Sequence, residues 1–107
     1  MSLVNAVAGL CGALDEAEKL LRAHGDTSVA ERLGDSRHRL AAGDMSAIQS
    51  ALSESTGSMG SLRDRFLCPE NGDRIEQADV SAVNQRLNAV VDGIKHRAED
   101  ARRLHGV

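Results

Sequence analysis

Aromatic side chains are almost missing from this chain of 107 residues: Phe66 stands alone, with no tryptophan and no tyrosine. That argues against base-stacking nucleic-acid readers and aromatic cages, and it removes the Trp and Tyr anchors on which many interfaces depend. Cysteine is scarce too. Cys11 and Cys68 do not make a disulfide scaffold, and reduced thiols in a cytoplasmic protein are the expectation. Nor is there an excess of positive charge. Thirteen Lys and Arg against sixteen Asp and Glu give a formal charge of -3 and a pI near 5.7, the wrong sign for gripping a polyphosphate, so no nucleic-acid partner is expected. Long apolar runs are absent as well. Leu3 to Leu14 carries no charge, yet a stretch of about twelve residues is too short to span a bilayer. No Lys or Arg precedes it, as a secretory leader requires, and Cys11 follows Leu10 rather than a small residue, which speaks against lipid attachment. The segment reads as a buried helix face, with no membrane partner.

What remains is a chain with 41% hydrophobic and 27% charged residues, ordinary for one globular domain spanning residues 1–107 and too apolar for a disordered one. Its apolar residues recur at helical spacing. Leu3, Val7, Leu10, Leu14, Ala17 and Leu21, widened by Val4, Cys11 and Leu20, predict a first helix from a Ser2 cap to His24, stopped by Gly25. Asp15 with Lys19 and Glu18 with Arg22 are spaced for pairs on its polar side. Gly9 and Gly12 weaken a helix unless another helix approaches closely there. A second helix is expected from Thr27 or Ser28, with Ser28 and Glu31 at capping-box spacing and Val29, Leu33 and Leu40 inward; Gly34 weakens it. Asp44 is placed to cap a short third helix through Ser53, with Met45, Ile48 and Leu52 inward. Asp79 is placed to cap the longest helix, whose stripe runs Val80, Val83, Leu87, Val90, Val91, Ile94, Ala98, Ala101 and Leu104. The expectation is an all-α bundle of about four helices, with the first and last as its central pair.

Between the third and fourth helices lies a Gly-rich loop, residues 55–75. Glu54 to Gly60 is loop by composition, and Leu62, Phe66 and Leu67 fit either one helical turn or a short extended piece. Pro69 pushes Cys68 out of helical geometry, and Asn71-Gly72 is turn chemistry. Structureless loops of this length inside small domains tend to be functional or disordered. Met59, Leu62, Phe66, Leu67 and Ile75 supply anchors to bury, which favours order. Arg63, Asp64, Arg65, Glu70, Asn71 and Asp73 supply polar groups between them and are the candidate partner-binding residues. The alternative is that the loop only caps the bundle.

Chemistry finds little to stand on. His24, His38, His96 and His105 are scattered, with no C-x-x-C, H-x-x-x-H or H-E-x-x-H spacing, so no metal is expected. There is no G-x-S-x-G, and adjacent carboxylates such as Asp15/Glu16 and Glu99/Asp100 splay apart on a helix. Gly57 and Gly60 lack the strand, helix and lysine of a phosphate loop. Lys95, Arg97, Arg102 and Arg103 are interrupted by Glu99 and Asp100, as on a solvated helix face. The reading is a non-enzyme without a cofactor; a ligand or enzyme site centred on residues 57–73 is a further alternative.

The string Gly-Ser-Met-Gly-Ser-Leu-Arg-Asp-Arg-Phe-Leu-Cys-Pro-Glu-Asn-Gly-Asp-Arg-Ile, residues 57–75, followed by Asp79-Val80 and Val83-Asn84-Gln85-Arg86-Leu87, resembles a family of small, functionally uncharacterised bacterial proteins. Their pattern is roughly Gly-Met-Gly-Ser-[Leu/Phe]-Asn-Asp, then Asn-Gly-His and a closing helix, and the likeness extends over residues 10–104. This chain departs from it at Arg63, where the pattern has Asn, and at Asp73, where it has His. Small acidic proteins of this kind are often immunity partners encoded beside polymorphic toxins. The resemblance therefore implies a protein that occludes a basic toxin domain, with Arg63, Asp64, Arg65 and Glu70 to Asp73 contributing contacts. A self-associating helical adaptor, dimerising through the wide stripe of the first helix, is the competing expectation; the Trp-x-Gly turn of small secreted helical-hairpin proteins is absent.

Overall fold

The computed structural model of the chain describes residues 2–57, 62 and 65–106. Four α-helices follow one another: α1, Leu3–Ala23; α2, Thr27–Ala41; α3, Ala47–Leu52; and α4, Val80–Leu104. The domain is all-α, an elongated bundle 44 Å long and about half as wide. α1 lies between α2 and α4 and packs against both, while α3 closes the gap between α2 and α4. The core is the periodic set: Leu10, Leu14, Ala17 and Leu21 from α1, Leu33 and Leu40 from α2, Ile48 from α3, and Leu87, Val91, Ile94 and Ala98 from α4. None of the helices is long and apolar enough to cross a membrane, among the described residues.

The ends of α1 follow the sequence. Ser2 Oγ accepts from Asn5 N–H at 3.1 Å, and Gly25 turns the chain at φ +84°, a backbone state a side chain would strain. α2 begins at Thr27, one of the two expected starts, but the capping of the later helices differs from expectation. Asp26, not Ser28, is the N-cap of α2 and makes no side-chain cap bond; Ser28 Oγ instead accepts from Arg32. Asp44 precedes α3 by a full turn, where Oδ1 accepts from both N–H and Oγ–H of Ser46. Hydrogen bonds from Ser46 first, and then from Arg39, hold the Asp44 carboxyl below its ordinary range. Asp79 caps nothing with its side chain; a 3-10 turn, Gln77–Asp79, feeds α4. The stretch read as loop from Glu54 begins as a π-helical turn, Ser53–Gly57, extending α3, with buried Ser55 donating Oγ–H to Ala51 O at 2.8 Å.

Glu18 is the largest departure within the helices. Instead of pairing with Arg22 on the outer surface it is buried and accepts Nε–H and Nη2–H of Arg37 on α2, at 2.5 and 3.2 Å. Gly34 makes that possible, since a Cβ there would sit 2.8 Å from Glu18 Oε1. So the glycine that weakens α2 admits the cross-helix ion pair. Gly9 and Gly12 play no such part: only the tip of Arg97 lies near Gly9, and Gly12 faces open space. Val4, expected to widen the inward stripe, is 77% exposed, and Leu104, expected to end the stripe of α4, is 39% exposed.

Candidate functional site

One end of the bundle gathers the last turn of α1, the first turn of α2 and the start of α4, and residues 65–79 cover it. Two residues pin this segment from below. Asn84, on the inward face of α4, receives Leu67 N–H on Oδ1 and donates Nδ2–H to Leu67 O, both at 2.8 Å, and to Val80 O at 2.7 Å. A side-chain amide thus pairs with a peptide group as a neighbouring strand would; residues 65–68 form no helix, and Cys68 is extended at φ -158° and ψ 157°. At the far side Arg74 N–H donates to His24 O at 2.9 Å, and His24 Nδ1–H donates to Arg74 O at 2.7 Å; the accepting carbonyl assigns the ring hydrogen to Nδ1.

Between these pins Arg65 bridges two carboxylates. Its Nε–H bonds Asp26 Oδ2 at 2.5 Å and its Nη2–H bonds Asp73 Oδ1 at 2.9 Å. The Asp26 and Asp73 side chains are 7% and 4% exposed, and that of Arg65 31%. Asp73 Oδ2 also accepts Cys68 N–H at 3.1 Å. The intervening turn is held by its own backbone, Asn71 N–H to Cys68 O and Gly72 N–H to Pro69 O, with Gly72 at φ +84°. Asn71 Nδ2–H donates to Phe66 O at 3.0 Å.

The sequence-derived contact residues therefore divide. Arg65 and Asp73 are turned inward onto each other and onto Asp26. Glu70 and Asn71 face solvent, Asn71 with its amide committed to Phe66. Arg63 and Asp64 lie outside the described residues, as does the anchor Met59. Leu62 and Leu67 are buried and Ile75 packs against the core. Phe66, expected to be an anchor as well, is 53% exposed. Leu67, held by Asn84, takes the inward place, and Phe66 beside it is left facing outward. Asn84 left a signal in the sequence, an amide within an apolar stripe, which must find partners when buried. Asp26 left only its place before a helix.

Comparisons with protein-family models, curated proteins and solved structures find no match to this chain.

Among the described residues no three His, Cys, Asp or Glu side chains are grouped to hold a metal ion. The buried carboxylates here are each occupied by Arg65. Cys68 is buried. Cys11 lies in α1, where burial pushes its thiol up from the ordinary value of 9.0 against an opposing pull from Arg37.

Proposed function

We propose that this protein is a binding module that docks a partner protein on the Phe66 end of the bundle, as an immunity-type protein that occludes a cognate toxin. The observation that carries the reading is Phe66 itself. The only aromatic of the chain stands half in solvent, while the residues on either side of it, Arg65 and Leu67, are fixed by ion pairs and by the Asn84 clamp. An apolar anchor that is already ordered loses little entropy on docking, which is the setting in which one side chain dominates an interface. Glu70 and Asn71 beside it supply a polar rim, Arg63 and Asp64 stand next to it in sequence, and exposed Glu70, Glu76 and Asp79 favour a basic partner surface. Arg65 and Asp73 serve by holding the anchor in place.

The test is a photo-crosslinking residue at position 66, with one at Ala89 on α4 as control, in cells that express the chain. A protein captured at 66 and not at 89 is then purified and its affinity measured. Phe66→Ala is expected to weaken binding about 100-fold, the cost of losing an interface hot spot, with an unchanged melting temperature, and co-expression of the wild-type chain is expected to relieve any toxicity of the partner. A partner bound equally well by Phe66→Ala would overturn the assignment.

A second reading, self-association, is favoured by the opposite end of the bundle, where exposed Val4 lines an apolar groove of about 430 Å³ with Leu3, Val7, Cys11, Leu40 and Met45. Light scattering distinguishes it; a strict monomer at high concentration removes it.

A further inference from the structure

The described residues expose three large apolar side chains, and none of them lies along the sides of the bundle: Phe66 is at one end, Val4 and Leu104 at the other. α1 and α4 run antiparallel, with Glu16 beside Arg86 and Gly9 beside Arg97, so the last turn of α4 lies level with the start of α1. The two ends differ in shape. Phe66 projects from a segment fixed on both sides of it, whereas Val4 lines an apolar groove of about 430 Å³ with Val7, Leu40 and Met45. They differ in charge as well. Around Phe66, residues 65–79 carry Glu70, Asp73, Glu76 and Asp79 against Arg65 and Arg74. At the groove end, residues 94–106 carry Lys95, Arg97, Arg102 and Arg103 against Glu99 and Asp100, and Asp44, next to the groove in sequence, is already paired with Arg39.

We infer that copies of this chain stack head to tail, the Phe66 of one copy seated in the Val4 groove of the next. A projection and a groove of opposite charge complement each other and not themselves. Groove against groove would set two cationic α4 ends together, and Phe66 against Phe66 would do the same with the carboxylates of residues 65–79. Seating the ring in the groove removes both apolar surfaces from water, and the charges align the two ends. The surfaces lie at opposite ends of a body 44 Å long. The contact is therefore heterologous, so it does not close on two copies and continues as an open chain. This rests on the self-association reading and specifies how the copies meet.

Sedimentation velocity on the purified chain over a concentration series tests it, with Phe66→Ala and Val4→Glu beside the wild type. Both side chains are exposed, and an acidic residue suits the first turn of α1, so both variants are expected to keep the wild-type melting temperature. The wild type is expected to grow past two copies as concentration rises. Each variant lacks one surface and is expected to associate at least about tenfold more weakly on its own. Mixed together they complement: the intact groove of Phe66→Ala takes the intact Phe66 of Val4→Glu, and growth stops at two copies. A mixture no more associated than its components overturns the inference. A wild type that levels off at two copies, matched by Phe66→Ala, overturns it too and leaves self-association standing through facing grooves. A wild type that stays monomeric at every concentration overturns both. Docking of a different protein at Phe66 is read by capture, and stands or falls apart from these results.

Discussion

The seam between α1 and α4 and the loop that closes one end of the bundle are held together by different physics. Along the seam the contribution is spread over many interchangeable methyl groups: Leu10, Leu14 and Leu21 face Leu87, Val91 and Ile94, and no single polar bond is needed. At the loop, order depends on a few side chains with several partners each, chiefly Asn84 and Arg65. Apolar packing degrades gradually when one residue changes, because its neighbours still exclude water. A polar tie fails whole, because removing one member strands its partners.

Leu87→Ala should give the largest effect on the seam, a loss of roughly 2–5 kcal/mol in urea unfolding, since Leu87 is 1% exposed at the centre of the α4 stripe. An unmoved midpoint would show that α4 is peripheral. On the loop side, Asn84→Ala should cost about 2–3 kcal/mol from a smaller side chain, by leaving Leu67 and Val80 backbone groups without it. Asn84→Asp is the sharper probe. Its carboxylate keeps the acceptor for Leu67 N–H but confronts the Leu67 and Val80 carbonyls, so this variant should be rescued as pH falls and the acid becomes a donor, whereas Asn84→Ala should not. Equal pH profiles for the two would mean that packing, not hydrogen bonding, holds the loop.

Glycine replacement should split by sign. Gly34→Ala is expected to destabilise by about 1 kcal/mol, helix propensity being outweighed by displacement of the Glu18 carboxylate from Arg37. Gly12→Ala and Gly93→Ala, which meet nothing within 4 Å, should each stabilise by about 0.5–1 kcal/mol. Thermal melts of the three decide this. The smallest effect is at the surface. The Asp44 carboxyl is held below its ordinary value near 3.8 by Ser46 and Arg39, so its contribution is present above that pH and lost as pH falls through the depressed value. The stability gap between wild type and Asp44→Asn should therefore be open at about pH 6 and narrow as pH falls below about 3.8, as read by urea titration.

Legibility followed the same division. The stripe from Val80 to Ala101 and the stop at Gly25 could be read directly, because periodicity and a left-handed turn are local properties of the chain. Glu18 could not. Its polar character pointed to the outer face, and only the arrival of Arg37 over Gly34 makes its burial favourable. The candidate site was legible as a place and not as a set of contacts. Pro69, Asn71 and Gly72 announced a structured turn, but which of its charged residues face inward was fixed by Asp26, distant in sequence from Arg65 and Asp73. Phe66 was counted among the anchors, and it lies outside because Leu67 is held by Asn84.

The amino-acid order by itself determined the helices, their inward faces and the presence of a turn at residues 68–72, since these rest on spacings within one segment. Tertiary structure alone decided the pairing of Glu18 with Arg37, the sharing of Arg65 between two aspartates and the outward pose of Phe66. An ion pair or an amide clamp gains its stabilising force from partners that meet only when separate segments are packed and water is displaced from between them.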